Sequence, residues 1–214
     1  MPAILAATAL FAILGFIVCA FSTWILFQKR TEFAIRTLEG GYLTQLEQSQ
    51  LDLETKTAVV QEIESLIEGL KQGKYENWQA AGIMQRLQRL PVLQWGELQA
   101  VEAFLENAED DALGEEARAD GLRQIGRLRQ ALELDKVTSF DFEDALEPVR
   151  NPAPNSPTGQ ELDLPLKPKA VLETTRRAKL LADRSKVPDR DFQGIQIERI
   201  LRREIERGAS EGGY

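Results

Sequence analysis

The chain has 214 residues, a formal net charge of −8, one cysteine and no histidine. One cysteine excludes an intrachain disulfide, and the missing histidine removes the commonest zinc ligand and the commonest general base at neutral pH. Charge is segregated: residues 29–75 carry six Lys/Arg against eight Asp/Glu, 76–150 eight against sixteen, and 151–214 twelve against ten. The acidic middle repels a polyanion, so no nucleic-acid partner is expected.

The first 28 residues contain no charged side chain, and Ala3 to Phe27 is an almost unbroken apolar run. At about 1.5 Å per residue, a helix of that length crosses a hydrocarbon core of about 30 Å. A cleaved signal peptide wants a basic start and a shorter apolar core. Val18-Cys19-Ala20 fits a cleavage site, but the run has no basic start and continues through Trp24, Ile25, Leu26 and Phe27. A buried core helix would show a polar face sooner. Residues 1–28 are therefore expected to be a retained transmembrane anchor in the lipid bilayer, with Trp24, Phe27, Lys29 and Arg30 at its interface. No Lys or Arg precedes the run, while Lys29, Arg30 and Arg36 follow it. That asymmetry places the N-terminus outside and the C-terminal region in the cytoplasm. Gly15, Cys19 and Thr23, four apart, offer a small-residue face on which two copies can approach as a homo-oligomer.

Residues 29–73 read as a juxtamembrane amphipathic, coiled-coil-like segment. Gly40-Gly41 is expected to kink it, because paired glycines lower helix propensity. A helix then runs from Tyr42 to Lys71. Leu46, Leu53, Val60 and Ile67 share one heptad position, but the other seam position is mostly polar, and the last turns fit a shifted seam of Val60, Ile63, Ile67 and Leu70. That favours a helix packed on its own chain over a two-stranded coil.

Residues 74–147 are expected to form a small bundle of similar helices: Asn77 to Leu90, ended by Pro91; Trp95 to Asn107; and Leu113 to Leu134. Short connections predict antiparallel neighbours, with Trp78, Trp95 and Phe104 as core anchors. Val137 to Val149 reads as a short strand-like stretch or a helix capped by Asp141, with a short helix or irregular segment packed on the bundle favoured. Residues 148–168 hold six of the nine prolines and are expected to be an extended linker. Residues 169–207 then read as a basic-leaning helix pair, Ala170 to Lys186 and Asp189 to Arg207, with Asp189 as N-cap and 208–214 as a disordered tail.

No P-loop, dinucleotide glycine motif, C-x-x-C, H-E-x-x-H or G-x-S-x-G is present. The acidic runs Glu109-Asp110-Asp111 and Glu115-Glu116 lack the order of a calcium loop and read as solvated helix ends. No catalytic, cofactor or metal site is therefore expected. The C-terminal helices are the surface with partner potential, through Phe192, Ile195, Ile197, Leu201 and Arg202. They have three destinations: the chain's own acidic middle, anionic lipid, or a groove on another protein. Interleaved Arg and Glu disfavour lipid.

The predicted class is all-α: a single N-terminal transmembrane helix, a cytoplasmic amphipathic helix, a small helical bundle, a Pro-rich linker and a C-terminal helix pair. The expected role is a membrane-anchored scaffold, adaptor or assembly subunit whose partners are other proteins of a membrane complex. The competing reading is an envelope-spanning helical factor of phage or cell-envelope type in the opposite orientation.

Overall fold

The computed structural model describes residues 15–16, 29–108, 113–154, 156 and 159–212. The chain over those residues is all-α apart from one short hairpin. Its helices are α1 (Arg30–Thr37), α2 (Leu43–Gln48), α3 (Leu53–Lys71), α4 (Asn77–Arg89), α5 (Val92–Asn107), α6 (Glu115–Glu133), α7 (Ser139–Leu146), α8 (Pro168–Arg184) and α9 (Ile197–Glu211). Strands β1 (Arg150–Pro152) and β2 (Gln160–Leu162) pair antiparallel, Arg150 opposite Leu162. Among the described residues, no helix is long and apolar enough to cross a membrane. The expected anchor, including Trp24 and Phe27, lies outside the described residues except for Gly15 and Phe16.

The expected kink at Gly40-Gly41 is instead a π-helical turn, Leu38–Tyr42, that joins α1 and α2 without interruption. The wider turn keeps Ala34, Leu38 and Leu46 buried, and that burial offsets the roughly 1 kcal/mol each glycine costs a helix. The break falls at Ser49–Asp52, inside the segment expected to be one helix. Asp52 caps α3 by accepting from the Thr55 backbone N–H at 2.9 Å. Leu53, placed on the heptad seam, is 82% exposed, because its helix starts afresh there. The shifted seam is the better guide: Ile63, Ile67 and Leu70 are buried beside Val59 and Leu66, and Val60 is half-buried.

The helical bundle is present, and the sequential neighbours α5 and α6 pack on each other. The most extensive packing is of α9 on α4 and of α8 on α6, with α9 also on α3 and α1 on α4. Helix α7 packs on α5 and α8. The C-terminal helices thus complete the core, and one contiguous apolar cluster runs from Ala34 to Ile205. Trp95 is buried and stacks on Phe142 at 6.4 Å between ring centroids. Trp78 is not a core anchor: it is 43% exposed, because Ala80, Ile83 and Leu87 form the buried face of α4. Phe104 is half-buried.

Thr138, not Asp141, caps α7, and Asp141 returns the bond to the Thr138 N–H at 2.8 Å as the other half of a capping box. The Pro-rich stretch is not an extended linker throughout, since β1 and β2 fold it back on itself. Helix α9 starts at Ile197 rather than Asp189 and continues to Glu211, through the start of the expected tail. Residues between α8 and α9 are held by Arg127, which is 1% exposed. Its guanidinium donates to the carbonyls of Val187 at 2.6 Å and Pro188 at 3.1 Å, to Asp183 at 2.6 Å and to Gln124 at 2.7 Å.

Candidate functional site

A concavity of about 610 Å³ lies between the α2–α3 break and the hairpin. One wall is built where α2 stops. Ser49 Oγ donates to the Leu46 carbonyl at 2.6 Å, and Lys56 Nζ donates to the carbonyls of Glu47 at 3.0 Å and Ser49 at 2.9 Å. These donors satisfy acceptors that a helix end otherwise leaves to water. The chain then crosses α5 at Gly96. A Cβ there would lie 2.4 Å from the Leu51 nitrogen, so only glycine permits the crossing. Gln99 fastens the far side, its Oε1 accepting from the Asp52 N–H at 3.2 Å.

The opposite wall is the hairpin. Arg150 Nε donates to Glu97 Oε2 at 2.8 Å, and the two side chains are only 4% and 14% exposed. Burial pushes the Glu97 carboxyl up, against the lowering effect of Arg150, and neighbouring Glu143 adds to the rise. Ser156 Oγ donates to the Gln160 carbonyl at 2.8 Å, closing the turn. Gln45, Gln48, Gln50 and Gln160 line the cleft together with Leu93 and Leu162. Amides both donate and accept, which matches the alternation of a peptide backbone. The cleft's hydroxyls, Ser49 and Ser156, donate to the Leu46 and Gln160 carbonyls. Among the described residues, no three metal-ligating side chains converge.

A smaller cavity of about 220 Å³ borders an ion network around the buried Glu204. Arg86 reaches that carboxylate at 2.8 Å, Arg207 at 3.1 Å and Arg203 at 3.2 Å, and Arg203 also pairs with Glu133 and Asp135. The network joins α9 to α4 and to the end of α6.

The predicted partner residues separate. Ile197 and Leu201 are fully buried in the chain's own core. Phe192 and Ile195 are half-buried, with the Arg190 guanidinium 5.0 Å from the Phe192 ring centre. Arg202 is exposed and pairs with Glu62 of α3, its Nε at 3.0 Å. Of the three expected destinations of this helix pair, it takes the chain's own body, although Arg202 meets α3 rather than the acidic middle. Lys29 and Arg30 sit at the start of α1, where Lys29 pairs with Glu32 at 3.6 Å. The cleft residues were invisible to motif reading, because they become neighbours only after the hairpin folds. One signal was present: Asp52-x-x-Thr55, an N-cap pattern inside an apparently continuous helix. No family model matches the chain, and no curated protein or solved structure matches it either.

Proposed function

We propose that this chain is a single-pass membrane protein whose cytoplasmic helical body acts as a scaffold or assembly subunit through protein–protein contact. The observation that carries this reading is the continuous helix from Arg30 to Gln48. It begins two residues after the uncharged apolar stretch and ends at the wall of the cleft. At about 1.5 Å per residue it is a strut about 28 Å long. It is fastened at both ends. Thr31 donates to Asn77 Oδ1 from its N–H at 3.2 Å and its hydroxyl at 2.9 Å, and Lys56 holds the other end. A partner segment in the cleft would therefore be held at a set height above the bilayer, where confinement raises its effective concentration. The presenting surface in this reading is the cleft rather than the C-terminal helices, whose apolar face is already covered.

Carbonate extraction and a reporter fused after residue 214 test the anchoring and its direction. The expected result is a pelleted protein with a cytoplasmic reporter. Release into the supernatant overturns the anchor, and an external reporter transfers the reading to an envelope-spanning factor. A photo-crosslinking residue at Gln48, with Leu180 on the exposed side of α8 as control, tests the cleft. A discrete adduct from Gln48 alone is expected, and equal labelling from both positions removes the cleft from the argument.

A further inference from the structure

We infer that the end of the body built from the first turns of α1 and α4 rests on the lipid headgroup layer and fixes the body's orientation to the membrane. This rests on the reading of residues 1–28 as a bilayer-spanning segment. Four observations converge on that end.

The first is chain geometry. Lys29 is the N-cap of α1. A residue spans at most about 3.6 Å, so the first turn of α1 stands within about 10 Å of the end of the apolar run at Gln28. The polar layer of a bilayer is about 5–7 Å deep on each side, so that turn lies in it or against it. The second is the clamp between Thr31 and Asn77, which joins the first turn of α1 to the first turn of α4. Whatever depth α1 adopts, α4 begins beside it.

The third is the placement of aromatic side chains. Trp78 and Phe33 each lie in one of those first turns, and they are 43% and 50% exposed. The Trp78 indole N–H donates to Glu76 at 2.8 Å, so the polar edge of the ring is satisfied while its apolar surface is left uncovered. Tyr75 is half-buried beside them, with Lys74 Nζ 5.4 Å from its ring centre. A concavity of about 460 Å³ opens here, lined by Thr31, Gly73, Tyr75, Glu76, Asn77 and Trp78. Rings of this amphipathic kind are the ones that settle at a membrane–water boundary.

The fourth is charge. At this end Lys29, Arg30, Arg36 and Lys74 outnumber Glu32 and Glu76. Glu32 is taken by Lys29 at 3.6 Å and Arg36 at 2.5 Å, and Glu76 by the capping box with Gln79 and by Trp78. The formal charge of these six groups together is positive, which suits anionic headgroups. Long basic side chains lay their stems on apolar surface and keep their charge in the polar layer.

The test uses the full chain in phosphatidylcholine–phosphatidylglycerol vesicles whose acyl chains are brominated near the headgroup. Trp24→Phe leaves Trp78 and the buried Trp95 as emitters. Bromine is expected to quench the Trp24→Phe protein, and the loss is expected to vanish in Trp24→Phe/Trp78→Phe. Equal emission with and without bromine, in a protein that floats with the vesicles, overturns the headgroup contact and leaves the anchor intact. Trp78 shielded from iodide but not quenched by bromine means that protein, such as a second copy, covers the site, and this also overturns it. Failure to float with vesicles overturns the anchor reading itself.

Discussion

Gly208→Ala distinguishes a docked C-terminal helix from a searching one. In α9, a Cβ at Gly208 would lie 2.5 Å from Ile83 Cα, 2.7 Å from Ile83 N and 3.0 Å from the Gly82 carbonyl carbon. All three are backbone atoms of α4, so no side chain can swing aside. The helices must separate by about 1 Å, since carbon atoms rest about 3.5–4.0 Å apart. Separation strains the Arg86–Glu204 bridge, both of whose side chains are largely buried. Forced overpacking of this kind costs about 1–3 kcal/mol, and a backbone-on-backbone clash belongs at the upper end. Alanine returns about 1 kcal/mol of helix propensity. The net expectation is a loss of about 2 kcal/mol, or a fall in Tm of about 4–8 °C for a chain of this size. Gly40→Ala is the control, because its Cβ meets nothing within 4 Å and only propensity changes. It is expected to gain up to about 1 kcal/mol. The assay is thermal and urea unfolding of the full chain in mild detergent, followed by circular dichroism. A Gly208→Ala protein as stable as the Gly40→Ala protein would refute the packing argument and return α9 to the role of a free partner helix.

Three further outcomes follow from the same contacts. Arg127→Met removes a buried guanidinium and leaves the Val187 and Pro188 carbonyls without that donor, while Asp183 keeps Lys179; a loss of about 1–3 kcal/mol is expected in urea unfolding, and an unchanged unfolding curve contradicts the latch. Trp95→Ala is expected to cost about 3–5 kcal/mol and Trp78→Ala under about 1 kcal/mol, because only the first ring is enclosed; equal losses would put Trp78 back in the core. Glu97 sets a pH dependence. Its carboxyl is raised by burial in the folded state, so between its unfolded and folded values the folded chain holds more protons and stability rises as pH falls through that window. Relative to Glu97→Gln, the wild type is expected to lose stability as pH rises from about 4 through the shifted value, and a flat difference between the two unfolding curves would remove burial as the dominant influence.

Fixed docking also alters how the protein would work. A Pro-rich tether would let the last helices sample partners. Here the hairpin is pinned by Arg150 on Glu97, and α9 by Arg203 and Arg207 on the end of α6. Arg203 and Arg207 thus tie together elements distant along the chain.

What the sequence determined by itself is the local order: where helices form, and where most of them stop. Apolar spacing marks the helices, Pro91 ends one, Gly73 and Pro188 lie in breaks, and the lack of histidine and the motif gaps narrow the chemistry. These are short-range properties, set by backbone sterics and by which face of a helix is apolar. Tertiary structure decided the rest. Packing on α3 and α4 carried a helix through Gly40-Gly41, the same surface left Trp78 outside, and the pairing of α4 with α9 and α6 with α8 set the topology. Apolar faces of similar strength do not name their partners; shape does, at contacts such as Gly82 on Gly208 and Gly96 on Leu51. The cleft follows from that choice, because its two walls come together only once the hairpin has closed on α5.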